Sequence, residues 1–138
     1  MIIPFEDRPL VYIAGPYSNG DPVWNTNKMI KIGNELQDTG LVTTFVPHLS
    51  LFLHAIDPRP YEHWLEWDIA LLKRCDALLR VPGLSSGADK EEVYAVQKDM
   101  PVFDDQSLLI KWAQEWLFDH GYRYSASQGE WMMPHEGV

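Results

Sequence analysis

The stretch Asp76-Ala77-Leu78-Leu79-Arg80-Val81, then Pro82-Gly83, then Leu84-Ser85-Ser86-Gly87-Ala88-Asp89-Lys90-Glu91-Glu92-Val93, decides the fold class. Its first six residues are mostly apolar, the pattern of a strand buried inside a parallel sheet. Pro82-Gly83 stops that strand. Small residues follow, and a helix then runs to about Lys98. An open helix start favours anions, through unpaired N–H groups and the positive end of the helix dipole. Glu91 and Glu92 stand one turn further in, where a carboxylate can serve as nucleophile or base. The same residues also admit a plainer reading, with Ser86 and Asp89 as a capping pair and the two glutamates as a solvated face.

Upstream, Leu10-Val11-Tyr12-Ile13-Ala14 reads as another buried strand, ending at Gly15-Pro16. A breaker-rich loop leads to a helix from about Val23 to Asp38, with Met29, Ile32, Gly33 and Leu36 on one face and Thr39-Gly40 at its end. Leu41 to Val46 is β-branched and apolar, a second strand that Pro47 ends. Leu49, Leu51, Phe52 and Leu53 suggest a short helical turn that lids a pocket. The next helix, about Tyr61 to Arg74, sets Trp64, Trp67, Asp68, Leu71 and Leu72 on one side. An unpaired acid among apolar neighbours is costly, so Asp68 either caps a neighbouring loop or works in a site. Pro101-Val102-Phe103 is a fourth strand.

Alternating strands and helices with short links predict an α/β fold: a three-layer, Rossmann- or flavodoxin-like parallel sheet with helices on both faces. Residues 1–105 form this core. Residues 106–138 are expected as a C-terminal appendage, with a helix from Ser107 to Phe118 and a hairpin about Gln128-Gly129, packing on the core or on a neighbouring subunit. Ligands of such sheets bind beyond the carboxyl ends of the strands. The loops leaving those ends nominate Gly15, Pro16, Ser18, His48, Ser85, Gly87 and Ala88 as substrate-binding residues. The catalytic candidates are Glu91 or Glu92, Asp68, and the hydroxyl of Tyr17. Two carboxylates at one pocket suit glycosidic chemistry, in which one attacks or activates water and the other handles protons or holds the sugar.

Composition narrows the classes. The 138 residues suit one domain, and 46% hydrophobic content is enough for a core. A net charge of −9 argues against a duplex-binding surface. The chain shows no basic leader and no apolar run long enough to span a membrane, so a cytoplasmic location is expected. The single Cys75 excludes an intramolecular disulfide. His48, His54 and His63 lie in one stretch, but their spacing is not that of a helical metal-binding pair, and no metal or cofactor is expected. A P-loop, the three-glycine dinucleotide fingerprint and a nucleophile elbow around Ser85 or Ser86 are absent from the sequence. The load of six Trp, six Tyr and five Phe suggests rings that cover a pocket or a subunit interface.

Taken together, Tyr12-Ile13-Ala14-Gly15-Pro16-Tyr17-Ser18, Trp67-Asp68-Ile69-Ala70-Leu71-Leu72 followed by Cys75-Asp76-Ala77-Leu78-Leu79, and Ser85-Ser86-Gly87-Ala88-Asp89-Lys90-Glu91 before Pro101-Val102-Phe103 resemble the nucleoside 2-deoxyribosyltransferase-like group. That group includes the 2'-deoxynucleoside 5'-phosphate N-hydrolases and many small uncharacterised relatives. The resemblance covers roughly residues 9 to 104. It implies cleavage or transfer at the N-glycosidic bond of a nucleoside or its 5'-monophosphate, without a cofactor. Glu91, four residues after Gly87, matches the family nucleophile, and Glu92 does not. Asp68 matches the acid that contacts the sugar, Tyr17 falls in the loop lining the pocket and would orient the nucleophile, and Ser85 matches a serine that meets a 5'-phosphate, leaving Ser86 to cap the helix. A homo-oligomer is implied as well. Lys90 and Glu92 depart from the apolar residues that many members carry. The alternative from another class is a module that binds a nucleotide or an ADP-ribose-like ligand without turnover.

Overall fold

A computed structural model describes residues 2–133. Positions 134–138 of the expected C-terminal segment lie outside the described residues. Four strands form one parallel sheet: β1 (Leu10–Ala14), β2 (Thr43–Phe45), β3 (Ala77–Arg80) and β4 (Val102–Phe103), in the order β2-β1-β3-β4. Register is set by Val11 opposite Thr44 on one side and Ala77 on the other, with Leu78 opposite Val102 at the far edge. The chain moves from β1 out to β2, then returns to the other side of β1 for β3. The carboxyl ends of β1 and β3 therefore flank a topological switch point, where open α/β sheets hold their ligands.

Alternation along β1 divides the core. Val11 and Ile13 pack with Ala77 and Leu79 of β3 against α1 (Pro22–Asp38) and α5 (Gln106–Asp119), through Met29, Leu36, Leu109, Ala113 and Leu117. Tyr12 and Ala14 face the other way with Leu78, against Leu72 of α3 (Tyr61–Leu72) and Ala88 and Ala95 of α4 (Ser86–Gln97). A strand buried on both faces reads as a continuous apolar run, which is why β1 and β3 are legible as such. The three layers and the parallel sheet agree with the fold class expected from sequence. Residues 106–133 pack on this core: α5 buries three side chains in it, and the expected hairpin forms from β5 (Arg123–Ser125) and β6 (Glu130–Met132), with Gly129 at φ +68° closing its turn.

Helix boundaries follow local chemistry. Asp21 caps α1 by accepting from the N–H groups of Val23 and Trp24, and Pro22 occupies the first helical position, where no N–H is needed. A turn at Pro47–Leu49 leads into the short α2 (Ser50–Ile56). This is the helical turn expected there, and its His54 reaches the cavity described below. Among the described residues, no helix is long and apolar enough to cross a membrane.

Candidate functional site

A cavity of about 540 Å³ opens at the carboxyl edge of the sheet. Four segments wall it. The loop after β1 gives Gly15, Tyr17, Ser18 and Asn19, and the loop after β2 with α2 gives Pro47, His48, Ser50 and His54. From the link into α3 and from α3 itself come Arg59, Tyr61, Trp64, Leu65 and Asp68, and the start of α4 adds Leu84 to Ala88 and Glu91. Glu91, Asp68, Tyr17 and every nominated substrate-binding residue except Pro16 line it. That proline acts from behind, where its carbonyl accepts from His48 and its ring lies 2.5 Å from where a Cβ on Gly83 would stand. Gly83 is at φ +132°, a second reason for glycine there. Glu92 is not in the lining.

Glu91 is the buried carboxyl at the centre of the site, 5% exposed. It lies on the inward face of α4 with Ala88 and Ala95, three and four positions away. Burial pushes its carboxyl up to about 7, against the opposing pull of a hydrogen bond from Tyr12 and the nearby Arg80 guanidinium. The Tyr12 hydroxyl donates to Glu91 Oε2. Burial and the adjacent carboxylates drive the Tyr12 phenol far above its ordinary value, so it remains a donor. Asp68, on the facing side of α3, is pushed up to about 8, first by burial and then by the Glu91 charge. Its Oδ1 is buried without a hydrogen-bond partner. The Glu91 charge disfavours ionisation of Asp68, so Asp68 keeps its proton to higher pH.

Supporting contacts fix the loops. His48 Nε2 lies 2.8 Å from the Pro16 carbonyl and 3.2 Å from that of Gly15. Carbonyls only accept, so Nε2 carries the proton, and burial pulls the ring toward its neutral form. Tyr17 packs edge-on against His48, with ring centroids 5.8 Å apart. Asn25 Nδ2 donates to the carbonyls of Tyr17 and Asn19, tying the β1 loop to α1. Arg80 donates to the carbonyls of Val81 and Gly83 and pairs with Asp89 at 3.0 Å, which braces the loop before α4.

Two expectations need correction. The residue that caps α4 is Ser85, whose Oγ accepts from the Ala88 N–H at 3.1 Å, while Ser86 is the first helical residue. The backbone of Ser85 is extended, as an N-cap requires, and that of Ser86 is already helical. The tyrosine that holds Glu91 is Tyr12 of the strand, and Tyr17 of the loop stands by His48 instead. Sequence reasoning missed Tyr12 because it was absorbed into an apolar strand. Strand alternation was the available signal, since Tyr12 and Ala14 must share the face opposite to Val11 and Ile13. Also missed as site residues were His54, Trp64, Arg59 and Tyr61, which meet only when α2 and α3 pack. Among the described residues, no group of three His, Cys, Asp or Glu side chains could hold a metal ion.

These features define an α/β protein with a doubly covered parallel sheet and a ligand-sized cavity at its switch point, lined by the buried Glu91 and the half-buried Asp68. The chain belongs to the family described as a domain of unknown function (DUF4406), whose model matches residues 9–104. The match runs from the residue before β1 to the residue after β4, and so includes every segment that walls the cavity. No curated protein matches the chain.

Proposed function

We propose that this protein cleaves an N-glycosidic bond of a nucleoside or nucleoside 5'-monophosphate, with Glu91 as nucleophile. One observation carries the proposal: the buried Glu91 and the half-buried Asp68, whose Oδ1 is shut off from solvent, are two carboxyls on one cavity, pushed up to about 7 and about 8. Carboxyls raised toward neutrality on one cavity suit a nucleophile or base beside an acid. The resemblance to the deoxyribosyltransferase-like group supports the same roles for the same two residues.

In this scheme a Glu91 oxygen attacks the anomeric carbon as the C–N bond breaks, and the bonding pair leaves with the base. Protonated Asp68 lies on the same cavity, able to give its proton to the departing group or to hold a sugar hydroxyl. The resulting glycosyl ester is resolved by water, or by a second base in a transfer. Water attacks the same carbon, the ester C–O bond returns its electrons to Glu91, and the water proton passes to the Asp68 carboxylate, or to the departed base where Asp68 has kept its own proton. Tyr12 keeps Glu91 oriented and favours its ionised form. Ser85 is occupied as a cap but its hydroxyl proton is free, so it and the Gly87-Ala88 start of α4 can meet a phosphate where one is present.

The test is incubation with nucleosides and their 5'-monophosphates, following free base by chromatography. The wild-type chain should release base, and Glu91→Gln should lower release by about a thousandfold or more. No release beyond the Glu91→Gln control across the common bases would overturn the proposal. Ligand-dependent stabilisation without release would describe a binding module instead. A homo-oligomer and a cytoplasmic location remain part of the proposal. The first is supported by Phe52, Leu53, Ile56 and Leu84, which expose apolar surface on α2 and the loop before α4.

A further inference from the structure

His54 lines the cavity from α2 and takes no part in the chemistry above. Two donors converge on its Nδ1: the indole N–H of Trp64 at 2.9 Å and the main-chain N–H of Arg59 at 3.1 Å. Indole and amide N–H groups only donate, so Nδ1 is an acceptor and the neutral ring holds its proton on Nε2. The lock joins three consecutive segments, since α2, the link at Arg59 and α3 each contribute one member. Trp64 is itself held by edge contacts to His63 and Trp67, with ring centroids 4.8 and 5.7 Å away. His54 is half-buried, and its unengaged edge is a fixed N–H.

The chemistry around it is one-sided. Arg59 adds a guanidinium, which again only donates; one of its nitrogens is paired with the Asp57 carboxylate at 2.5 Å, leaving its other N–H groups for a ligand. Tyr61 and Trp64 add flat rings, and Leu65 adds an apolar surface. The carboxyls of the cavity follow one turn further along α3, at Asp68, and on α4, at Glu91. We infer that the His54–Arg59–Trp64 wall is the subsite for the leaving group, and that His54 Nε2–H donates to an oxo group or ring nitrogen of the departing heterocycle. The inference rests on the N-glycosidic reading of Glu91. When the C–N bond breaks, negative charge develops on the heterocycle, and a donor already fixed in place stabilises that charge without reorganising. A ring able to flip tautomer could offer a lone pair at the same point and repel the charge. The two donors on Nδ1 remove that option.

The experiment uses the full chain with ¹⁵N-labelled histidine and long-range proton–nitrogen correlation spectra, with His54→Phe to assign the signal. The neutral ring should carry its proton on Nε2, and Trp64→Phe should release it toward a mixture of tautomers. Adenine, hypoxanthine or uracil, added singly, should move the His54 signals, and inorganic phosphate should not. His54→Phe should weaken binding of the free base about threefold to tenfold, the usual worth of one hydrogen bond. A wild-type ring with its proton on Nδ1, base binding that leaves His54 unmoved, absence of base binding, or a response to phosphate alone would each overturn the inference. Base binding needs no turnover, so the two readings fail separately. Base release with an unmoved His54 sinks this inference alone, and a responsive His54 in a chain that releases nothing sinks the Glu91 chemistry.

Discussion

At the scale of single residues, the site depends on a contact spanning 79 positions, from Tyr12 in the first strand to Glu91 in the fourth helix. No local pattern encodes such a pair. Glu91 was legible from its place after a small-residue loop, and Asp68 from the anomaly of an acid on an apolar helix face. Tyr12 was not, because a tyrosine in an apolar strand is also what an ordinary core contains. Its hydroxyl favours the Glu91 carboxylate, so Tyr12→Phe should raise the Glu91 pKa above about 7. In a profile of kcat/KM against pH, the acid limb should then move to higher pH, with the largest loss of activity below neutrality. An unmoved limb would make the contact structural only. Asp68 gives a stability prediction with a definite sign. Its carboxyl is pushed up to about 8 in the folded chain, against about 4 when unfolded. Between those values the folded state binds more protons than the unfolded state, so stability is full at the acid end of the window and declines as pH rises through it. Asp68→Asn should flatten this decline: its Tm, relative to wild type, should be higher at pH 8.5 than at pH 5. Equal pH dependence in the two proteins would show that Asp68 is not held protonated.

At the scale of elements, the sequence reading placed strands and helices well where a single force dominates. Leu10–Ala14 is legible to the residue because both of its faces are buried, whereas Asp21-Pro22, read as the end of the preceding loop, is the cap and first residue of α1. The entry to α4 was harder. Ser85 and Ser86 are chemically equal candidates for the cap, and only the extended backbone at Ser85 decides between them. The two are separable by measurement. Ser85→Ala removes the acceptor for the Ala88 N–H and should cost about 1 kcal/mol. Ser86→Ala, at an exposed first helical position, should be nearly neutral. Thermal unfolding of both variants checks the assignment, and equal losses would contradict it. The cap also sets where the positive end of α4 faces the cavity, so Ser85→Ala should weaken any anionic ligand more than a neutral one. The α2–α3 wall lay beyond what the sequence could show. His54 looked like a member of a histidine-rich stretch, and its partner Trp64 like a core aromatic. Their hydrogen bond depends on how the link at residues 57–60 turns the chain from α2 into α3, which no helical or strand periodicity encodes.

At the scale of the whole molecule, the order of elements was enough to give the layered sheet, since short links between alternating strands and helices leave few alternatives. The weight carried by α5 was not readable in the same way. Residues 9–104 hold every strand of the main sheet and every residue lining the cavity, and they are also the span that the family model matches. A reader of sequence would therefore take the rest as optional. The core argues otherwise. Leu109, Ala113 and Leu117 of α5 are fully buried, in the same cluster as Val11, Ile13 and Leu79 of the sheet and Met29 and Leu36 of α1. Tyr122, just beyond the helix, is 4% exposed and donates to Asp7 at 2.6 Å, closing the segment onto the N-terminal turn. Removing residues 106–138 would leave α1 as the only main helix on that face of the sheet and open part of this shared cluster to water. Truncating one buried leucine costs about 2–5 kcal/mol, and domains of this size are stable by about 5–15 kcal/mol, so losing the whole helix exceeds what the fold can absorb. The truncated chain should therefore lack a cooperative thermal transition by circular dichroism, whereas Leu109→Ala in the full chain should keep one at a lower Tm. If residues 1–105 alone melted cooperatively near the wild-type temperature, α5 would be dispensable to the fold and free to serve as a surface for partners.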